Sequence, residues 1–146
     1  MGKVLFLCTA NYYRSRFAEI FFNALAVQRN LDWVADSRGI VMAVGDDNVG
    51  LVSEHTIRGL EERGIAVPTT LRAPLQLQEK DLKSADLIIA LDDEEHRPYM
   101  QQLFPNWANK IEYWHVHDLH ASTADDALPV AEREIRALVE RLVSAE

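Results

Sequence analysis

Cys8, Arg14 and Ser15 are the residues of this chain best suited to covalent chemistry. They stand in the run Val4-Leu5-Phe6-Leu7-Cys8-Thr9-Ala10-Asn11-Tyr12-Tyr13-Arg14-Ser15. Five residues separate the thiol from the guanidinium, enough to wrap backbone N–H groups around an anion. Arg14 can return a planar pair of donors to two oxygens of that anion, which the point charge of a lysine does less well. Thr9 and Ala10 are small enough to let the backbone approach, and Asn11, Tyr12 and Tyr13 complete the cradle. Ser15 can donate its hydroxyl to the Cys8 sulfur, stabilising a thiolate and easing its later departure. An attacking atom and a set of oxyanion donors meet two of the three needs of phosphoryl transfer from a monoester; the third is a proton for the leaving oxygen. The plain structural reading, a small buried cysteine and a solvated helical arginine, explains neither the spacing nor its position after an apolar run.

The elements that must hold these residues follow from periodicity. Apolar runs at Lys3–Leu7, Trp33–Val44, Ala85–Leu91 and Ile111–Val116 predict four strands. Helical patterns fall between them. Ser15–Gln28 carries Phe17, Ala18, Phe21, Phe22 and Leu25 on one face, with Ser15 as N-cap. Ser53–Arg63 ends at Gly64, Glu79–Lys83 is short, and Glu94–Leu103 must hold Pro98 in its first turn or kink there. A last helix opens at Ala124 or Asp125 and turns Ile135, Leu138, Val139 and Leu142 inward. Alternation of strands and helices predicts a three-layer α/β/α domain over residues 1–146, with a four-stranded parallel sheet of flavodoxin-like order. The crevice of such a sheet lies at the carboxyl ends of its strands. Cys8, Asp92 and Asp118 all fall there.

Composition narrows the function classes. A net charge of −8 argues against nucleic acid, which is bound by clustered Lys and Arg. With one cysteine, the chain has no internal disulfide and no multi-cysteine metal set, which fits a reducing, cytoplasmic setting. No stretch reads as a signal peptide or a membrane span. The chain is expected as a monomer or weak dimer without a metal or other cofactor.

On these residues the chain resembles the low-molecular-weight protein tyrosine phosphatase family, which shares its architecture with thioredoxin-coupled arsenate reductases. The family's Cys-x5-Arg-Ser loop with an internal Asn is matched by Cys8, Asn11, Arg14 and Ser15. Asp36-Ser37, Asn48-Val49-Gly50 and Ala85-Asp86-Leu87-Ile88-Ile89-Ala90-Leu91-Asp92 are similar to further family segments. The resemblance implies that Asn11, Ser15 and Ser37 form a hydrogen-bond network holding the loop in strained geometry. It also implies a phosphocysteine intermediate and a general acid near the C-terminus, in an Asp-Pro pair. Here Asp118 stands in that place and Leu119 replaces the proline. A carboxyl beside a bound dianion is held protonated by like-charge repulsion and can supply the leaving group's proton. Asp125 and Asp126 are rivals, better read as charges at the start of the last helix. His115, His117 and His120 crowd the same segment, and their spacing, without a carboxylate-plus-cysteine set, fits a crevice entrance or solvent better than a metal site.

The chain departs from the family in three places. Tyr13 stands where a second loop cysteine is common, so an oxidised Cys8 has no internal resolving thiol. That absence also weakens an arsenate reductase reading, which then requires an external thiol. Asp47 and Leu119-His120 occupy positions where aromatic walls are usual, leaving Tyr12 and Tyr13 to supply ring contact or to narrow the pocket. The sequence therefore predicts a phosphomonoester hydrolase of tyrosine-phosphatase type, acting on a phosphorylated protein or a small phosphomonoester. The alternatives are an arsenate reductase and a catalytically weak phospho-ligand binding module.

Overall fold

The computed structural model describes residues 1–119 and 123–146. His120, one of the three histidines noted above, lies outside them. Strand β1 (Gly2–Cys8) leads through the Cys8 loop into helix α1 (Arg14–Gln28), followed by strand β2 (Trp33–Gly39) and a 3-10 turn at Met42–Gly45. Then come α2 (Glu54–Glu62), α3 (Glu79–Ser84), β3 (Leu87–Ala90), α4 (Asp93–Leu103), β4 (Glu112–Tyr113) and α5 (Ala124–Ala145). The strands are all parallel, in the order β2-β1-β3-β4. This is the flavodoxin-like sheet that the alternating pattern predicts, closed on both faces by helices.

Strand period two divides the core cleanly. Val4 and Phe6 of β1 face a cluster with Phe17, Phe21 and Phe22 of α1 and with Ile135, Leu138 and Val139 of α5. Leu5 and Leu7 face the opposite cluster with Leu82, Ile88 and Met100. Phe6, Phe17, Phe21 and Phe22 are fully buried, each burial contributing about 1.5–3 kcal/mol. The expected inner faces of α1 and α5 are thus in place, and they press α1, with the loop at its start, onto the central strand.

The structure corrects four boundary expectations. Strand β2 stops at Gly39 instead of reaching Val44, because Ile40 and Val41 turn to bond the carbonyls of Cys8 and Thr9, at 2.9 Å each. Strand β4 is only Glu112–Tyr113; beyond it the Trp114 and Val116 amides still bond Ala90 and Leu91 as the chain enters the crevice. Ser15 does not cap α1. The helix begins one residue earlier, with Tyr13 in the cap position and no side-chain cap, because the Ser15 hydroxyl is committed to Cys8 and Asn11. Helix α4 likewise starts at Asp93 and is capped by Asp92, whose carboxylate accepts the Glu94 amide at 3.2 Å. Pro98 lies inside α4, beyond its first turn.

Candidate active site

The loop from Cys8 to Arg14 leaves β1 at its carboxyl end and returns as α1. Among the described residues, none accepts a hydrogen bond from the amides of Thr9, Ala10, Asn11, Tyr12 or Tyr13. Five consecutive unpaired donors ahead of a helix N-terminus make an anion-binding concavity. Gly39 allows it to close: a Cβ there would lie 3.0 Å from both the Ala10 carbonyl carbon and the Asn11 nitrogen. Both polar groups of Gly39 are fixed, its amide to Leu75 and its carbonyl to Leu77, at 2.8 Å each.

Asn11 is fully buried with φ at 55°, a left-handed conformation that asparagine tolerates better than most residues. Its amide orientation is determined by its partners. The Leu75 amide and the Arg72 guanidinium are donors only, and both reach Oδ1, at 3.1 and 3.0 Å. Nδ2 must therefore be the group facing the Ser15 and Ser37 oxygens, at 2.8 and 2.9 Å. Ser37 in turn donates its hydroxyl hydrogen bond to Glu19 at 2.5 Å. Ser15, having accepted from Asn11, is left with its hydrogen for the Cys8 sulfur at 2.9 Å. The chain of donors thus runs from Leu75 and Arg72 through Asn11 and Ser15 to the thiol.

Arg14 is buried, and two contacts fix it. One terminal nitrogen donates to the Val116 carbonyl at 3.0 Å and the other to Glu95 at 2.7 Å. Among the described residues, no hydrogen bond takes up the other three of its five guanidinium N–H groups. Burial alone lowers the Arg14 pKa, but the Cys8 charge and the Glu95 bond outweigh it, so the net shift is upward and the group stays cationic. Burial likewise raises the Glu95 carboxyl, yet bonds from His96, Arg14 and Thr9 carry it well below the usual carboxylate range. His96 is fully buried and held neutral, chiefly by burial. Its Nδ1 accepts the Asp92 amide at 3.0 Å, so the proton sits on Nε2, which faces Glu95 at 3.2 Å.

Asp118 lies beside this assembly, its carboxylate 3.8 Å from Arg14, and lines the same cavity as Cys8. The two residues before it are tied down: Val116 through the Arg14 bond, and His117 through Asp92 at 2.9 Å. Asp92 itself stands 3.7 Å from Arg14. His115 is exposed, while Asp125 and Asp126 lie in the first turn of α5, where the sequence reading put them.

The cavity has a volume of about 250 Å³, and its walls include Cys8, Thr9, Ala10, Tyr12, Tyr13 and Leu119. Thr9 differs from expectation. Its hydroxyl is turned to Glu95, which leaves only its amide for a ligand. The Tyr13 ring belongs chiefly to the core, set edge-on to His55 at 6.2 Å. Its hydroxyl is buried without a hydrogen-bond partner among the described residues, and burial pushes its pKa up to about 12. Tyr12 points the other way and donates to the Val49 carbonyl at 2.5 Å.

A thiol at a strand end, a nest of free amides, a braced arginine and a neighbouring carboxyl define an oxyanion-binding α/β protein equipped for attack on the bound group. The chain belongs to the low molecular weight phosphotyrosine protein phosphatase family, whose pattern matches residues 3–144. It is similar to a protein-arginine-phosphatase of Bacillus subtilis, at 28% identity over 74% of this chain and 67% of the relative. It is also similar to the low molecular weight protein-tyrosine-phosphatase YfkJ of the same species, at 38% identity over 64% of this chain. The chain spans 58% of that relative's length. The crystal structure of a low molecular weight protein tyrosine phosphatase from T. tengcongensis superposes over the full length of both chains, with a TM-score of 0.75 and 28% identity.

Sequence reasoning did not find Arg72, Glu19, Arg16, Glu95 or His96. Arg16 is buried and donates to the Asn11 and Arg72 carbonyls. Glu95 and His96 follow Asp92 at the carboxyl edge of β3, where the crevice rule alone points to them. Arg72 sits in an aperiodic loop and carries no such signal.

Proposed function

We propose that this chain, read as one domain over residues 1–146, hydrolyses phosphomonoesters on proteins through a phosphocysteine intermediate, in the manner of a protein tyrosine phosphatase. The observation that carries the reading is the set of five unpaired amides and Arg14 around the sulfur of Cys8. In the first step the Cys8 thiolate attacks phosphorus, and the S–P bond forms as the bond to the leaving oxygen breaks. Arg14 and the amides of Thr9, Ala10, Asn11, Tyr12 and Tyr13 hold the equatorial oxygens. Asp118 gives its proton to the departing oxygen. In the second step Asp118 takes a proton from water, the water oxygen bonds to phosphorus, and the S–P bond breaks. Ser15 donates to the returning thiolate, and inorganic phosphate leaves. Ser37, through Asn11, supports this arrangement. No step calls on a metal or other cofactor.

Phosphoarginine on a protein is a second reading of the substrate, favoured by the similarity to the protein-arginine-phosphatase. The arsenate reductase and the binding module gain no support from the family the chain belongs to. We place the protein in the cytoplasm, and among the described residues no helix is long and apolar enough to cross a membrane. Hydrolysis of para-nitrophenyl phosphate and phenyl phosphate by wild type, Cys8→Ser and Asp118→Ala tests the chemistry. Cys8→Ser loses turnover of both. Asp118→Ala loses about 10²–10⁴-fold on phenyl phosphate and less on the nitrophenyl ester, whose leaving group needs little protonation. Retained activity in Cys8→Ser overturns the mechanism.

A further inference from the structure

Beside the catalytic cavity lies a second, larger concavity of about 520 Å³, and the two share Tyr12, Asn48, Ser53 and Leu119 as a common wall. The floor and near edge of this groove are apolar: Val52 is buried, Ile57 half-buried, and Val49 and Leu119 are 85% and 43% exposed. Its rim is acidic, formed by Asp47 and Glu54, with Asp46 adjacent in the chain. From Gly39 to Ile57 the sequence contains no lysine or arginine. Among the described residues, neither Asp47 nor Glu54 takes part in an ion pair, whereas Asp93, Glu132 and Glu140 are each matched to an arginine. His55 also lines the groove and Arg58 follows Glu54 by one turn of α2, yet among the described residues neither forms an ion pair with Asp47 or Glu54, which leaves both carboxylates available to a cation.

The groove is also fixed relative to the reactive loop. The Tyr12 hydroxyl donates to the Val49 carbonyl at 2.5 Å, and the Ser53 amide donates to the Tyr12 carbonyl at 2.9 Å. Tyr12 of the Cys8 loop thus belongs to the wall between cavity and groove, and a polypeptide held in the first can extend along the second. An acidic rim above an apolar floor suits an extended polypeptide that offers a lysine or arginine and an apolar side chain.

We propose that this groove is a substrate-docking site for the basic polypeptide flanking a phosphorylated residue, so that the enzyme selects phosphoproteins modified within lysine- or arginine-bearing segments. The proposal rests on the phosphatase reading above and adds its substrate preference. A phosphate group in the catalytic cavity and a cation over Asp47 and Glu54 give such a segment two anchors of opposite charge. The order of charges matters: acidic flanking residues meet the same rim with repulsion.

The test compares phosphotyrosine peptides of one sequence whose flanking positions carry lysine in one and glutamate in the other, with para-nitrophenyl phosphate as a substrate too small to reach the groove. Wild type is expected to prefer the lysine peptide by about tenfold in kcat/KM at low salt, the preference shrinking as exposed charges are screened. In the double variant Asp47→Lys, Glu54→Gln the preference disappears or reverses while para-nitrophenyl phosphate turnover stays within twofold. Glutamine at position 54 avoids placing a cation in the first turn of α2. Equal use of both peptides by wild type overturns the docking site, as does a double variant that keeps the wild-type preference. Failure of wild type to hydrolyse para-nitrophenyl phosphate instead overturns the phosphatase reading, so the two claims fail separately.

Discussion

Replacing Ser15 by alanine removes one hydroxyl that serves both the Cys8 sulfur and the Asn11 amide. In the fold, Ser15 is fully buried, accepts from Asn11 Nδ2 at 2.8 Å and faces the Cys8 sulfur at 2.9 Å. Asn11 keeps Ser37 as the acceptor of one Nδ2 hydrogen at 2.9 Å, the other is left buried without its Ser15 acceptor, and alanine suits the first turn of α1. The stability loss should be about 1–3 kcal/mol, the cost of one buried N–H left without a partner. The sulfur fares differently. A hydrogen bond to a charged group contributes about 1.5–3 kcal/mol, and each 1.36 kcal/mol is tenfold in rate. Ser15→Ala should therefore lower kcat/KM for para-nitrophenyl phosphate by roughly 10–150-fold. The alkylation rate of Cys8 by iodoacetamide at pH 6, measured where both proteins are fully folded, should fall by a similar factor, while the urea midpoint falls only by the cost of that one buried N–H. Alkylation and hydrolysis within threefold of wild type would refute the donor chain from Asn11 through Ser15 to Cys8.

Two further expectations concern the supports of the loop. Gly39→Ala drives a methyl to 3.0 Å from the backbone of Ala10 and Asn11, where neither neighbour can yield without moving the cradle. It should cost about 1–3 kcal/mol in stability and weaken inhibition by inorganic phosphate; phosphate inhibition equal to wild type contradicts the close packing of β2 against the loop. The pH dependence of stability should report on His96, whose pKa in the fold lies below the ordinary value of 6.5, chiefly through burial. The unfolded chain then binds a proton that the folded chain refuses. Stability is complete above pH 6.5 and declines as pH falls below it, by at most about 1.4 kcal/mol per pH unit for one group. Glu95, depressed below its ordinary 4.5, adds a second loss only under more acid conditions. Urea midpoints between pH 7.5 and 5 should slope downward in wild type and flatten in His96→Gln; an unchanged slope in the variant assigns the proton elsewhere.

Much of this site was legible because its signals are local. Cys8, Arg14 and Ser15 occur within eight consecutive residues, and the apolar run before them announces the strand that delivers them. The phenylalanines of α1 repeat at helical spacing, so the inner face of that helix could be read directly. The N-cap assignment of Ser15 failed for an instructive reason: capping propensity describes an exposed helix end, whereas this hydroxyl is buried against a sulfur that competes for it. The braces of the site were harder to see. Arg72 reaches Asn11 from 61 residues away in a loop without periodicity, and Glu95 meets Arg14 only because the sheet order places β3 beside β1. Tyr13 shows the limit of reading a loop by position alone. Its place in the motif suggests a ligand contact, yet its ring is spent on the core and its amide faces the concavity.

The central claim is that phosphate passes through the sulfur of Cys8 and leaves with the help of Asp118. Its most direct test is rapid acid quenching of Asp118→Ala during turnover of para-nitrophenyl phosphate, followed by peptide mass spectrometry. The account predicts one phosphoryl group on Cys8, accumulating because the second step lacks its base, and none on any residue of Cys8→Ala at the same time point. A phosphoryl group on a different residue, or steady turnover with none trapped, would contradict it.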